Sequence, residues 1–382
     1  MAVRLLEGVT EVWPISAEEV RLEHPGIRRA ASVLRSGELV AFPTETVYAL
    51  GGLARLPEAL ARIYAAKGRP QGKPLSLLVR DREMAEAFVD FSPAAVRLWE
   101  AFAPGPLTLI LPVRPGVRLA AVRGLRGAAV RSPDHPVAQV LLQAVGEPIA
   151  APSANRSARP SPTRAEDVLR DFAGSLPLLL DGGETSLGFE STIVDLCGDV
   201  PRLVREGAVP AEAVAEVLGQ SLRPAEDSVS SSGKREGKTS SSLVLKVPLL
   251  VWEMAPPADD RRFAALLLRG IARLRRAGLL PNRGEEGGSP LRLAVLVPEG
   301  YRIPGLESFP HLLVPFVLPR GASGMRRFYP VLRALEAAEV VAAFAFLPPE
   351  EVLRPLRERL LTAASEVHEA PEEESGEGGE GL

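Results

Sequence analysis

The sequence is poor in several things that would each announce a function. It holds one cysteine, Cys197, among 382 residues. An internal disulfide framework is therefore excluded, and a reducing, cytoplasmic setting is expected. Its four histidines, His24, His135, His311 and His368, lie too far apart for metal-ligand spacing, so no metal site made by protein ligands is expected. Aromatic residues are 5% of the chain and the formal net charge is -3. Neither the stacking platforms nor the global basic field of a nucleic-acid binder is present, although a local basic patch stays open. The longest apolar runs, such as Leu176 to Leu180 and Val340 to Leu347, are far too short to span a bilayer. The N-terminus shows no basic stretch followed by an apolar core, so no secretory leader and no membrane role are expected. The chain lacks Gly-x-x-x-x-Gly-Lys-Ser/Thr, a Gly-x-Gly-x-x-Gly at a strand-to-helix junction, and a nucleophile elbow. Hydrolase and dehydrogenase readings lose their main support.

Lysine is the last scarce residue, and it is informative. Arginine fills the ordinary basic positions, and before residue 234 the only lysines are Lys67 and Lys73, in Lys67-Gly68-Arg69-Pro70-Gln71-Gly72-Lys73-Pro74. A compact ammonium kept at two clustered positions suggests a specific chemical need, against the alternative of two solvated loop lysines. With Arg69 this loop offers three cations, enough to hold a triphosphate and neutralise departing pyrophosphate.

Apolar residues make up 46% of the chain and charged residues 24%, which suits globular domains with real cores. The length points to two of them. From residue 24 to 218, helical and strand patterns alternate. Helices are expected at Gly26 to Arg35, Leu56 to Ala66, Pro93 to Phe102 and Val137 to Val145, and from a Thr163 cap, with Glu166 in the reciprocal position, to Phe172. Strands are expected at Leu39 to Phe42, Leu75 to Val79, Leu107 to Leu111, Ala128 to Arg131, Ile149 to Ala151, Leu176 to Leu180, Ser191 to Leu196 and Leu203 to Arg205. Several strands follow one another without a helix, which predicts a mixed sheet. Asp227 to Ser242 is Ser-rich, charged and nearly free of apolar side chains, the composition of a linker. Beyond it, strands at Leu249 to Trp252, Leu293 to Val297, Leu312 to Val317 and Val340 to Phe346 alternate with helices at Arg261 to Ala277 and Arg326 to Ala338. That order predicts a small Rossmann-like α/β domain with a parallel sheet. The expected division is 1-220, a linker 221-245, a second domain 246-366 and an acidic, Gly-rich tail 367-382.

Chemistry-bearing side chains collect at strand ends, where α/β sheets bind ligands. Thr44, Glu45 and Thr46 follow one strand, Arg131 closes another, Ser153 and Asn155 follow a third, Ser191 precedes a fourth and Arg205 ends a fifth. Taken singly, most of these could be turn residues satisfying local backbone groups.

Together they form an ordered set: Pro43-Thr44-Glu45-Thr46-Val47-Tyr48, Lys67-Gly68-Arg69-Pro70, Pro104-Gly105-Pro106-Leu107-Thr108, Ala151-Pro152-Ser153-Ala154-Asn155, Ser161-Pro162-Thr163, Asp181-Gly182-Gly183 and Glu190-Ser191-Thr192-Ile193-Val194-Asp195. Over roughly residues 10 to 218 this resembles the YrdC-type threonylcarbamoyl-AMP synthase family. The later region resembles, by pattern and position, the Rossmann-like domain of its longer members. The resemblance implies a twisted mixed sheet flanked by helices, and synthesis of threonylcarbamoyl-AMP and pyrophosphate from L-threonine, bicarbonate and ATP. Mg2+ would arrive with the phosphates, and a separate tRNA threonylcarbamoyl transferase would take the product. It implies that Lys67 and Arg69 carry the catalytic charge. Thr46, Arg131, the Ala151 backbone and Ser191 would hold threonine. Arg69, Lys73, Ser153, Asn155, Ser161 and Arg205, with Lys67, would hold ATP. The chain departs from the family pattern at Leu78 (often histidine), Gly127 (often threonine) and Ala49 (usually glycine). A carbamoyl-adenylate-forming enzyme and an RNA-binding module are the alternatives; the chain lacks the zinc-finger cysteines that accompany the first.

Overall fold

The structure is a computed structural model that describes residues 4–6, 10–71, 73–224, 243–257, 259–280, 292–303, 306, 312–318, 321–348, 352, 354–364 and 366–368. Packing divides the chain into two units, Met1–Ser241 and Ser242–Leu382.

The first unit is built on a twelve-stranded mixed sheet. Its strands are β1 (Arg4–Leu6), β2 (Thr10–Pro14), β3 (Val40–Phe42), β4 (Ala49–Leu53), β5 (Leu77–Leu78), β6 (Leu107–Pro112), β7 (Gly127–Arg131), β8 (Ile149–Ala150), β9 (Leu178–Asp181), β10 (Thr192–Asp195), β11 (Arg202–Arg205) and β12 (Arg223–Pro224). They lie in the order β1-β2-β9-β3-β4-β8-β5-β7-β6-β10-β11-β12. The helices are α1 (Pro25–Arg35), α2 (Pro57–Lys67), α3 (Arg82–Glu86), α4 (Pro93–Phe102), α5 (Pro136–Val145), α6 (Ala165–Phe172) and α7 (Ala211–Leu218). Alternation along the strands splits the core in two. Val40, Phe42, Leu178 and Leu180 pack with the α1 and α5 faces carrying Ile27, Leu34, Leu141 and Leu142. The intervening Ala41 and Leu179 join Ile63 of α2, Leu98 of α4, Val168 of α6 and Val214 of α7 on the other side.

Most helices lie where periodicity places them, but some expectations fail. Thr163 does not cap α6: the helix starts at Ala165 with Arg164 at its N-cap and no side-chain cap. Thr163 is buried, and its N–H donates to Asp167 Oδ2 (3.3 Å) inside the first turn, so Glu166 has no reciprocal partner. The strand expected over Leu75 to Val79 pairs only at Leu77–Leu78. Strands β2 and β4 and helices α3 and α7 carry no expectation at all. Arg223–Pro224, at the head of the expected linker, pairs with β11 as β12, and Leu243 and Leu245 at its foot are buried. Residues 225–242 and 369–382 lie outside the described residues.

The second unit holds β13 (Leu249–Trp252), α8 (Asp260–Arg276), β14 (Leu293–Pro298), β15 (Leu313–Leu318), α9 (Gly321–Ala337), β16 (Ala342–Phe346), α10 (Arg354–Ala363) and β17 (Glu366–His368). Its strands run in the order β15-β14-β16-β13-β17, and every pairing is parallel. Strands β13, β14 and β16 are buried along their whole length, as expected of a parallel sheet covered on both faces. Helix α10 and strand β17 carry no expectation from the sequence pattern. Among the described residues no helix is long and apolar enough to cross a membrane.

Candidate functional site

The apolar run of β3 ends at Pro43, and the next residues turn inward rather than toward solvent. Thr44, Glu45 and Thr46 are 2%, 4% and 0% exposed. The threonine hydroxyls and the backbone of this loop are met within the fold. Thr44 Oγ1 lies 2.8 Å from Thr46 Oγ1 and donates to the Val47 carbonyl (2.7 Å). Leu187 N–H donates to the Glu45 carbonyl (2.8 Å), and the Tyr48 hydroxyl donates to the Gly183 carbonyl (2.7 Å). Burial of that phenol, with Asp181 beside it, raises its pKa, so it stays a donor.

Arg131, the last residue of β7, reaches this loop. Its Nη2 forms an ion pair with Glu45 Oε2 (2.7 Å) and faces Thr44 Oγ1 at 3.5 Å, while Nε donates to the Gly105 carbonyl (3.1 Å). A guanidinium presents five donors. The Nη1 group has no acceptor among the described residues, which leaves a fixed cation with donors to spare for an anion. His135 completes this corner. A side chain at Gly182 would strike Pro43 Cγ (2.8 Å) and His135 Cε1 (3.2 Å), so the ring is packed against the loop. Its Nδ1 accepts from Val137 N–H, and burial lowers its pKa, with the neighbouring Glu45 and Asp134 acting in the opposite sense.

Lys67 closes α2, and Gly68 in the left-handed conformation (φ 59°) ends the helix, a geometry that glycine adopts without a Cβ penalty. The side chain is 4% exposed. Its Nζ donates to the carbonyls of Ser153 and Asn155, the latter at 2.5 Å. The 151–155 loop is thus tied to the lysine, and one N–H of the ammonium is left for a ligand. Burial first, then the charges of Arg69 and Lys73, push this lysine down to about 7, while Asp171 opposes the shift. Arg69 is half-buried, its pKa lowered by burial. It donates from Nη2 to the Pro74 carbonyl (2.8 Å), which folds the 69–74 loop back on itself with Lys73. Lys67 is thus buried rather than solvated, while Arg69 and Lys73 are partly exposed.

The 151–155 loop joins the two clusters. Leu50 N–H donates to the Pro152 carbonyl (2.8 Å) and Ala154 N–H to the Tyr48 carbonyl (2.7 Å). Ala151 N–H donates to the Ser76 carbonyl (2.9 Å), so only its carbonyl can serve a ligand. Asn155 is buried, with Nδ2 donating to the carbonyls of Arg156 (3.0 Å) and Arg159 (2.6 Å). Its Oδ1 has no partner among the described residues.

On the far side, Ser191 Oγ lies 2.8 Å from Thr108 Oγ1. Arg205 Nη2 donates to the Ser191 carbonyl (2.8 Å) and faces its Oγ at 3.3 Å. Ser161 Oγ donates to Glu190 Oε1 (2.9 Å). Thr108 and Glu190 lie within the ordered motifs and carry no site expectation from the sequence. Their signal was adjacency to Gly105 and Ser191, and pairing across β6 and β10 makes it visible. Thr46 and Arg131 thus both meet Thr44, Lys67 is tied to Ser153 and Asn155, Ser191 groups with Arg205 and Thr108, and Ser161 meets Glu190. Of the departures, Ala49 faces Ser153 in a β-bridge. Leu78 is core, and Gly127 lies against Cys197, whose Sγ is 2.5 Å from where a Cβ would sit.

Residues 32–207 match the Sua5/YciO/YrdC family, described as telomere recombination. The chain is 43% identical over 213 residues to threonylcarbamoyl-AMP synthase of Bacillus subtilis, covering 55% of this chain and 62% of that one. It is 46% identical over 201 residues to threonylcarbamoyl-AMP synthase of Pyrococcus abyssi, covering 52% and 59% respectively. Both matches thus span about three fifths of the relatives' length. Among solved structures, P. abyssi Sua5 complexed with L-threonine superposes with a TM-score of 0.76 at 30% identity, over 94% of this chain and 99% of that one.

Proposed function

From the premise that the chain belongs to the Sua5/YciO/YrdC family, we propose that it is an enzyme that makes threonylcarbamoyl-AMP from L-threonine, bicarbonate and ATP. The observation that carries this reading is the pairing of two unlike cation sites across one loop. Arg131, buried among Thr44, Thr46 and Glu45, suits the carboxylate of a small zwitterion. Lys67 and Arg69, with Lys73, suit a polyphosphate. The 151–155 loop touches both.

The chemistry follows from these placements. Threonine docks its carboxylate on Arg131 and its hydroxyl among Thr46, Ser191 and the Ala151 carbonyl. Its neutral amine attacks bicarbonate, giving the N-carbamate and water. A carbamate oxygen then attacks the α-phosphorus of ATP, and pyrophosphate leaves. No enzyme nucleophile is required. Lys67 and Arg69 meet charge developing on the phosphates, and Ser153, Asn155, Ser161 and Arg205 hold the nucleotide. Among the described residues no three His, Cys, Asp or Glu side chains gather for a metal ion. The donors present suit phosphate oxygens, so Mg2+ enters as part of the substrate. The mixed anhydride would be consumed by a separate tRNA threonylcarbamoyl transferase.

The test is pyrophosphate release. It should require ATP, threonine and bicarbonate together, and replacing threonine and bicarbonate by carbamoyl phosphate should abolish it. Release driven by carbamoyl phosphate would make this a carbamoyl-adenylate enzyme.

A further inference from the structure

Glu45 is a buried carboxylate that the reaction described above does not use. It is 4% exposed. One oxygen, Oε2, is held 2.7 Å from Arg131 Nη2; the other, Oε1, is buried and has no hydrogen-bond partner among the described residues. A buried carboxylate oxygen left without a donor is costly. Such a group calls for a donor that arrives with a ligand.

The ligand's own geometry supplies one. Resting on the reading that Arg131 anchors the threonine carboxylate, the α-nitrogen lies two covalent bonds, each about 1.5 Å, from that carboxylate carbon. The nitrogen must therefore lie beside the group already paired with Arg131. Threonine arrives as an ammonium, which has no lone pair to attack bicarbonate. A base has to take one proton, and the nearest carboxylate to the anchor is Glu45.

We propose that Glu45 binds the α-ammonium of threonine and is the base that deprotonates it. The ammonium N–H bond breaks, its electron pair stays on nitrogen, and the proton passes to Glu45 Oε1. The amine then attacks bicarbonate; a C–N bond forms and hydroxide, combining with the second amine proton, leaves as water. Protonation of Glu45 cancels its charge against Arg131, whose guanidinium then serves the substrate carboxylate alone. Glu45 gives up that proton to solvent as the product leaves.

The reverse half-reaction separates this role from mere positioning. Pyrophosphorolysis of threonylcarbamoyl-AMP gives ATP and the N-carbamate and needs both pockets, but no amine is deprotonated. In Glu45→Gln, synthesis from threonine should fall at least 10²-fold, the usual scale of general base catalysis, while ATP formation from threonylcarbamoyl-AMP and pyrophosphate stays within about threefold. Glu45→Asp, which keeps the base, should recover part of the forward rate. Equal losses in both directions would reduce Glu45 to a structural partner of Arg131 and overturn the proposal, as would an unchanged forward rate. A wild-type chain that runs neither direction would overturn the functional reading itself.

Discussion

Burial and charge conflict most sharply at Lys67. Its folded value of about 7 lies below the ordinary 10.5, so unfolding takes up a proton between those two values. The cost to the free protein is complete below pH 7 and fades as pH rises toward 10.5. A triphosphate reverses the balance by stabilising the ammonium. ATP binding at pH 8 should therefore take up a proton, seen as calorimetric heats that scale with buffer ionisation enthalpy, and affinity should weaken as pH rises above 7. Lys67→Arg, always charged, should lose this uptake beyond what ATP alone shows. Loss of either cation, in Lys67→Ala or Arg69→Ala, should cut pyrophosphate formation by roughly 10²-fold or more; near-normal rates in both would return the pair to a structural role. On the threonine side, a buried hydroxyl site should reject valine, because its polar partners would be left unpaired. Equal rates with valine would mean the hydroxyl goes unread. The identity of these residues was legible because lysine is scarce and the polar residues cluster at strand ends. Their partnerships were not: that Lys67 grips two carbonyls of the 151–155 loop depends on contacts across 86 and 88 residues, and that Glu45 pairs with Arg131 depends on one equally distant in sequence.

The elements that the sequence pattern hid are those whose chemistry is set by neighbours. Strand β4 contains Gly51 and Gly52, residues of low strand propensity. A Cβ at Gly51 would lie 2.7 Å from Phe42 and 2.8 Å from Ile149, and one at Gly52 would lie 3.1 Å from Leu39 and 3.2 Å from Ile63. These glycines let α2 and the flanking strands close on a central strand, a tertiary demand that overrides strand propensity. Thr163 stands one residue before the N-cap of α6, and its carbonyl accepts from Thr185 N–H (3.0 Å). Periodic helices such as α1 and α5, with one apolar face, were legible almost to the residue. The loop that carries Ser191 offers a direct check. A Cβ at Gly207 would stand 2.3 Å from the Glu190 carbonyl and 2.5 Å from the Ser191 carbonyl carbon, and backbone cannot yield as a side chain can. Gly207→Ala should cost roughly 2–4 kcal/mol, measured as a lowered melting temperature, and should raise the threonine KM. Unchanged stability and KM would show that the Ser191 loop is softer than its packing implies.

Across the whole chain, all the residues assigned to the site fall in the first unit, Met1–Ser241, which contains the region matched by the family. A chain ending at Ser241 keeps β12 and should retain ATP binding and measurable synthesis; cutting at Gln220 would strip that strand from the sheet edge. Loss of synthesis in a truncated protein that remains folded by circular dichroism would mean that a group from the second unit reaches the site, with Lys246 the first to substitute. One covalent outcome decides the proposed activity. With 13C-bicarbonate, threonine and ATP, the full-length protein should yield an adenylate whose mass contains AMP, threonine and one labelled carbonyl carbon, in equal amount to the pyrophosphate released. Pyrophosphate without that adduct, or an adduct that carries the label but no threonine, would contradict it.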